Sequence, residues 1–289
     1  MPSTLYLLSR RRFERTPPAW NPSPEVPHKS ALYREAASGD WERAEAFCRG
    51  HCPNPPRLLA SNVIDRIQEL GCGAWGLEHP TNGRFVGNIE RRDPNKSSYR
   101  EGACNVRSRK RCRDTCVMSD LPLMAGLYDI VGRRGVYYEV RVNKMDGVIA
   151  IGTACKPYPS WRMPGWNRLS AGLHLDDLRK FFEDPDGGRD YAPGLSQVSP
   201  GDVVGCGYEF GIGALFFAHN GRRLPNAFVG IYMPRVDHDV YAALGFDGEN
   251  DVDVNFGMST FRWNEGNDVG WRVDSHVGHM VGSGPGQDE

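Results

Sequence analysis

The sequence predicts an all-β protein with short helices near its N-terminus. Of 289 residues, 34 are Gly and 21 are Pro, and long helical patterns are rare. This composition is typical of a protein that consists of many short strands joined by turns. Hydrophobic residues make up 39 % of the chain, which is enough for a core in one large domain with extensions or in two small domains.

The N-terminal part divides into two pieces. Residues 1–29 contain six prolines and little periodicity, which predicts a disordered, Pro-rich arm. Residues 30–72 predict a short helical extension. Its first helix runs from Ser30 to Arg49, and its second runs from Ser61 to Leu70, where apolar residues recur every three or four positions. Two short helices form no stable unit alone, so we expect them to pack on the β body.

The stretch from Gly201 to Gly221 predicts a β-meander. Its first strand has the apolar face Val204, Cys206, Tyr208 and Phe210. The opposite face carries Gly205 and Gly207 and is nearly bare, so another layer can approach it closely. A second strand ends at Asn220-Gly221, a pair that tolerates positive φ and predicts a tight hairpin.

Further strands follow from alternation and apolar runs. Val136–Val142 alternates apolar and polar residues, as a half-buried strand does. Val148–Cys155 is apolar on both faces and predicts a central strand. Arg168–Leu173, Val240–Phe246 and Val252–Phe256 are further predicted strands. Three short extended pieces, Trp75–Leu77, Arg84–Ile89 and Cys116–Met118, precede them in the chain.

Three motifs of this chain resemble the SPRY domain. They are Gly-Asp-Val-Val-Gly-Cys-Gly from Gly201, Leu-Phe-Phe-Ala-His-Asn-Gly from Leu215, and Val254-Asn255-Phe256-Gly257. The resemblance implies a bent, two-sheet antiparallel β-sandwich of the concanavalin-like kind, which binds partner proteins and has no chemistry of its own. We expect this domain to span residues 73–263, followed by a flexible tail over residues 264–289.

The segment from Lys156 to Trp166 narrows the resemblance. It reads Lys-Pro-Tyr-Pro-Ser-Trp-Arg-Met-Pro-Gly-Trp and is similar to the SPRY domains of fungal endosomal and vacuolar proteins that help a HECT-type ubiquitin ligase find membrane cargo. This implies an adaptor in ubiquitin-dependent sorting, with ligase machinery or cargo as partners and a cytoplasmic location at the endosome or vacuole. The chain lacks the Pro-Pro-x-Tyr motif and the transmembrane helix that this group usually carries.

The same segment supplies the candidate partner-binding residues. Its prolines exclude a central strand and predict an ordered loop, while its aromatic and cationic side chains are typical of binding hot spots. The candidates are Tyr158, Trp161, Arg162, Trp166 and Arg168, with Tyr191, Asn220 and Arg222 nearby. The alternative is that Trp161 and Trp166 fill the open end of the sandwich.

The sequence gives little support for other classes of function. The formal net charge of −1 indicates neither nucleic acid nor an anionic membrane as partner, and no apolar run reaches the ~18 residues of a membrane span. No nucleophile, phosphate-binding or metalloprotease motif occurs, so we expect no enzyme and no cofactor. The rival hypothesis is a carbohydrate-binding or carbohydrate-active sandwich, for which Asp251-x-Asp253 is the nearest carboxylate pair.

Two cysteine pairs leave a metal question open. Cys48 with Cys52 and Cys112 with Cys116 have a spacing that zinc accepts, although neither lies in a recognisable knuckle. Reduced cytosolic thiols are the favoured interpretation, so we expect no metal site.

Overall fold

The computed structural model describes residues 38–91, 104–184, 187–195, 197–232 and 238–278, which form two antiparallel sheets and short helices. With strands numbered along the chain, the seven-stranded sheet contains, in spatial order, β1 (Gly87–Arg91), β2 (Cys104–Ser108), β13 (Asn250–Asn255), β4 (Gly135–Met145), β9 (Val203–Glu209), β10 (Ala214–His219) and β11 (Arg222–Phe228). The six-stranded sheet contains β3 (Thr115–Met118), β12 (Tyr241–Asp247), β5 (Val148–Ala154), β6 (Ser170–His174), β7 (Arg179–Phe182) and β8 (Arg189–Asp190). The predicted all-β sandwich is confirmed.

The main core contains residues from both sheets. From β4 it receives the residues predicted to share one face, namely Val136, Tyr138, Val140 and Val142. Ile149 and Ile151 of β5 and Leu244 of β12 belong to the same cluster. The Tyr138 hydroxyl donates a hydrogen bond of 2.6 Å to the carbonyl of Gly152, which ties the two sheets together.

The predicted meander is present with its hairpin. β9 and β10 pair antiparallel, and β10 continues into β11 through Asn220 and Gly221, whose φ angles are 49° and 85°. The Asn220 side chain accepts a hydrogen bond of 2.9 Å from the backbone N–H of Val203, which holds the turn on the neighbouring strand.

A third layer covers part of the outer face of the seven-stranded sheet. It is an aromatic cluster of Tyr137, Phe216, Ala218, Phe261, Trp263 and Trp271. The bare glycine face of β9 admits this layer: a Cβ added to Gly207 would lie 2.3 Å from the ring of Phe216. The predicted close approach is therefore made by the protein's own aromatic side chains.

The C-terminal segment differs from the expected flexible tail. Residues Asn264–Asn267 and Val269–Trp271 form 3-10 turns, and Trp271, Val273 and His276 are buried. The expectation was wrong as far as Gly278 because the large apolar area of Trp271 packs on the sheet, which the Gly-rich composition of the segment concealed. Residues 279–289 lie outside the described residues.

Two helices precede the sandwich. Helix α1 is described from Ser38 to Gly50 and helix α2 from Ser61 to Leu70, followed by a 3-10 turn at Gly71–Ala74. The predicted arm and the predicted start of the first helix, residues 1–37, lie outside the described residues. Within the described part of the chain, no helix is long and apolar enough to cross a bilayer.

Candidate partner-binding surfaces

The loop between β5 and β6 is folded tightly on itself. The hydroxyl of Tyr158 donates to the carbonyl of Met163 at 2.7 Å. The Ser170 hydroxyl accepts a hydrogen bond of 2.9 Å from the backbone N–H of Gly165 and donates to the carbonyl of Asn167. Burial raises the pKa of Tyr158, so its hydroxyl stays protonated and keeps donating. The loop is thus an ordered structure, as its prolines predicted.

Arg162 is buried inside this loop and supports its structure. Its side chain is 1 % exposed, its Nε donates to Asn167 Oδ1 at 2.9 Å, and its guanidinium lies 4.2 Å from the ring centroid of Trp166. Burial lowers the pKa of Arg162. One of its terminal nitrogens, Nη2, has no hydrogen-bond acceptor among the described residues.

The predicted binding residues therefore separate into two groups. Four of the eight are buried, namely Tyr158, Arg162, Trp166 and Tyr191. Their expected exposure was wrong because the loop turns its large side chains inward, where their polar atoms find partners in the loop itself. Trp166 is buried beneath the loop beside Met163 and Phe181, in a cluster separate from the main core, which differs from the open end of the sandwich named in the alternative interpretation. Trp161 and Arg168 are half-buried and reach the surface.

Tyr191, Asn220 and Arg222 do not join the loop surface. Tyr191 belongs to the main core, where its ring lies 5.8 Å from that of Phe217. Asn220 and Arg222 are exposed on the hairpin of the other sheet. The hairpin lies beside the C-terminal segment, because a Cβ on Gly221 would be 2.6 Å from the carbonyl oxygen of Arg262.

Sequence reasoning missed a polar pocket on the outer face of the seven-stranded sheet. The pocket encloses about 370 Å³ and is lined by Glu139, Arg141, Val203, Asp253, Asn255, Thr260, Phe261 and Arg262. Register brings its charged residues together, since β4 and β13 place Glu139 opposite Asn255 and Arg141 opposite Asp253. The alternation of β4 and β13 indicated which face these residues occupy, but only the pairing register shows that they are neighbours.

Glu139 lines this pocket, and hydrogen bonds from other residues of the chain hold its carboxylate in place. It accepts hydrogen bonds from the backbone N–H groups of Arg262 and Trp263 at 2.8 and 2.9 Å and from the hydroxyl of Tyr137 at 2.9 Å. Burial raises the pKa of Glu139, while these three donors oppose the rise by stabilising the carboxylate. Its oxygens thus hold the C-terminal segment on the sheet.

The carboxylate pair considered for sugar chemistry is also engaged. Asn105 donates to one oxygen of Asp251 and one of Asp253, each at 2.8 Å, and Asn143 donates to both carboxylates at 3.0 Å. Partial burial opposes ionisation of Asp251, but hydrogen bonds from Asn143, Asn105 and Arg107 outweigh it and lower its pKa. A general acid of a glycosidase needs a raised pKa, which is the opposite direction.

The four cysteines of the zinc question lie in different surroundings. Cys112 belongs to the main core, whereas Cys116 packs with Tyr158 in a separate cluster. Burial raises the pKa of Cys116 to about 12, which disfavours the thiolate that binds metal. Among the described residues, no three His, Cys, Asp or Glu side chains converge on a point that could hold a metal ion.

Comparisons with known proteins find similar domains. Residues 135–259 match the family model of the SPRY domain. The chain is 28 % identical over 249 residues to "Protein ssh4" of Sclerotinia sclerotiorum, an alignment that covers 84 % of this chain and 42 % of that protein. It is 31 % identical over 170 residues to "SPRY domain-containing protein C285.10c" of Schizosaccharomyces pombe, covering 58 % of this chain and 40 % of that protein. The chain spans less than half of the length of these relatives.

A solved structure was found as well. A crystal structure of a human SPRY domain shares 21 % identity with this chain at a TM-score of 0.42, over 62 % of this chain and 96 % of that one.

Proposed function

We propose that this chain is a non-catalytic module that recognises a protein or peptide partner, on the support of the match between residues 135–259 and the SPRY domain. SPRY domains are in general protein-interaction modules. We assign the partner surface to the β5–β6 loop, with Trp161 and Arg168 as the contacting side chains. Trp and Arg, with Tyr, are the residue types enriched among binding hot spots.

The observation that supports this assignment is the rigidity of the loop. Buried Tyr158, Arg162 and Trp166 fix its backbone from beneath, so little conformational entropy remains to be lost when a partner binds. Trp161 and Arg168 are then presented at the surface in a set geometry. The buried candidates act as supports rather than contacts.

Three matched double variants test which surface binds. Trp161→Ala with Arg168→Ala removes the loop contacts, Asn220→Ala with Arg222→Ala alters the hairpin, and Arg141→Ala with Arg262→Ala empties the polar pocket. We expect only the loop variant to lose the partners captured from native cell extract, with at least a tenfold loss. Capture that survives the loop change but fails with the pocket change would move the site to the pocket.

At finer resolution, we propose an adaptor in ubiquitin-dependent protein sorting, located in the cytoplasm at the surface of endosomes or vacuoles. The support is the resemblance of the Lys156–Trp166 segment to fungal endosomal and vacuolar SPRY domains. The sequence of these 289 residues contains no Pro-Pro-x-Tyr motif.

Affinity purification from the native cell tests this role. We expect a HECT-type ubiquitin ligase or a membrane cargo protein among the partners of the wild-type chain and neither among those of the Trp161→Ala, Arg168→Ala variant. Partners confined to unrelated machinery would reject the adaptor role and leave the recognition module in place.

A further inference from the structure

The loop surface is already covered by the chain's own helix α1. The ring of Phe47 packs edge-on against Trp161 with centroids 5.5 Å apart, and the guanidinium of Arg43 lies 4.5 Å from the centroid of the same ring. Both terminal nitrogens of Arg168 donate to backbone carbonyls at the end of the helix, those of Cys48 and His51. The two half-buried candidates of the loop, Trp161 and Arg168, are therefore the two that the helix contacts.

Two acidic side chains of the helix complete the contact. Asp40 accepts two hydrogen bonds from Arg84, at 2.8 and 2.9 Å. Glu45 accepts one from Asn167 at 2.8 Å, and Asn167 in turn accepts from Arg162. The helix thus supplies carboxylates and carbonyls, and the sandwich supplies cationic and amide donors.

Helix α1 leaves some hydrogen-bond donors of the loop surface without an acceptor. Three buried donors of the loop have no acceptor among the described residues: Trp161 Nε1, Arg162 Nη2 and Arg168 Nε. A buried donor without an acceptor destabilises the surface that contains it, so a ligand that brings acceptors to these atoms binds more tightly than one that does not. The acceptors that these donors lack are carboxylate or carbonyl oxygens.

The helix is also weakly anchored by apolar burial. Among its described side chains, only Ala44 and Cys48 are buried, and Trp41 is 38 % exposed. At 13 residues it is short enough to be marginal as an isolated helix in water. Residues 51–60, which follow it, have no regular secondary structure and can serve as a tether when the helix leaves.

We propose that α1 is an exchangeable self-ligand: it caps the loop surface in the free protein, and an acidic peptide segment of the partner replaces it. This inference rests on the proposed function, because it names the partner class of the same surface. The partner segment presents an aromatic side chain to Trp161 and carboxylates to the donors around Arg162 and Arg168. When the partner binds, α1 leaves the loop surface, and this release can be measured.

A peptide of residues 38–52 with Cys52→Ser, labelled with fluorescein, serves as the probe. In the wild-type chain the tethered helix competes at an effective concentration on the order of millimolar, so the free peptide binds poorly. In a full-length chain with Asp40→Arg and Phe47→Ala the cap is opened, and we expect the peptide to bind at least tenfold more tightly. Asp40→Arg alone provides a milder opening if the double variant loses its fold.

Matched controls localise the effect. Glu42→Arg makes the same charge reversal on the exposed side of α1, and we expect it to leave peptide binding at the wild-type level. Adding Trp161→Ala and Arg168→Ala to the opened chain should abolish binding. A peptide with Glu45→Gln loses the carboxylate that accepts from Asn167, and we expect it to bind the opened chain several-fold more weakly than the parent peptide.

The outcomes separate this inference from the proposed function. An opened chain that keeps its melting temperature within a few degrees yet does not bind the peptide would overturn self-capping. Equal binding of the parent and Glu45→Gln peptides would overturn the acidic partner class. Peptide exchange without any partner in cell extract would support the cap and reject the proposed recognition function.

Discussion

Glu139 shows how one buried carboxylate organises a surface. It stands on the outer face of β4, where alternation alone predicts a solvent-exposed residue, yet it is buried. The carboxylate accepts three hydrogen bonds, two of them from the backbone of the C-terminal segment. A charged acceptor forms stronger hydrogen bonds than a neutral one, which compensates for its burial.

Replacing Glu139 by Ala should destabilise the fold by about 3 kcal/mol, because two backbone donors and the Tyr137 hydroxyl lose their acceptor. Urea unfolding at pH 7 measures the change. Glu90→Ala, at an exposed position of β1, is the control and should change stability by less than about 0.5 kcal/mol. Equal effects of the two substitutions would show that Glu139 does not hold the segment.

At the scale of elements, the packing of β9 depends on two positions of its outer face that have no side chain. Gly205 and Gly207 leave the outer face of the strand open, and the rings of Tyr137 and Phe216 occupy that space. The C-terminal segment then packs over these rings through Trp263 and Trp271, whose centroids lie 5.1 Å apart. A strand with side chains at both glycine positions would push this layer away.

Gly207→Ala should cost about 1–3 kcal/mol, because the new Cβ would lie 2.3 Å from the Phe216 ring and force it to move. Gly211→Ala, in the turn that follows, is the matched substitution, since its Cβ meets nothing within 4 Å. Thermal unfolding of both variants compares the two. A Gly207→Ala chain as stable as Gly211→Ala would contradict the tight contact.

At the scale of the whole molecule, the turn that follows α2 contacts the C-terminal segment. The thiol of Cys72, just after α2, donates a hydrogen bond of 3.2 Å to Asp274 near the C-terminal end. Arg272 donates two hydrogen bonds to the same carboxylate, at 3.0 and 2.7 Å. Burial raises the pKa of Cys72 to about 12, so the thiol stays protonated and remains a donor. The helical extension and the C-terminal segment thus stabilise each other.

This junction predicts a dependence of stability on pH. Burial opposes ionisation of Asp274, but hydrogen bonds from Arg272 and Cys72 outweigh it and lower its pKa below the ordinary 3.8. The stabilisation is therefore present above the unfolded pKa and is lost as pH falls through the lower folded pKa. Asp274→Asn should cost about 1–3 kcal/mol at pH 7 and clearly less at pH 2.

Urea unfolding at the two pH values measures this difference. Asp65→Asn, at an exposed position of α2, should show the same small effect at both. A cost of Asp274→Asn that does not change between pH 7 and pH 2 would rule out the linkage.

The sequence by itself determined the strands β4, β5, β6, β9, β10, β12 and β13, the inward faces of β4 and β9, the hairpin at Asn220 and the family resemblance, but it did not indicate β2, β7 or β8. These features are local, because period-two alternation and turn residues act within a few positions. Only the tertiary structure decided that Arg162 and Trp166 turn inward, that β13 sets Asp253 beside Arg141, and that α1 covers Trp161. Those outcomes depend on contacts between residues far apart in the chain, and no local pattern encodes which distant surface will bury a side chain.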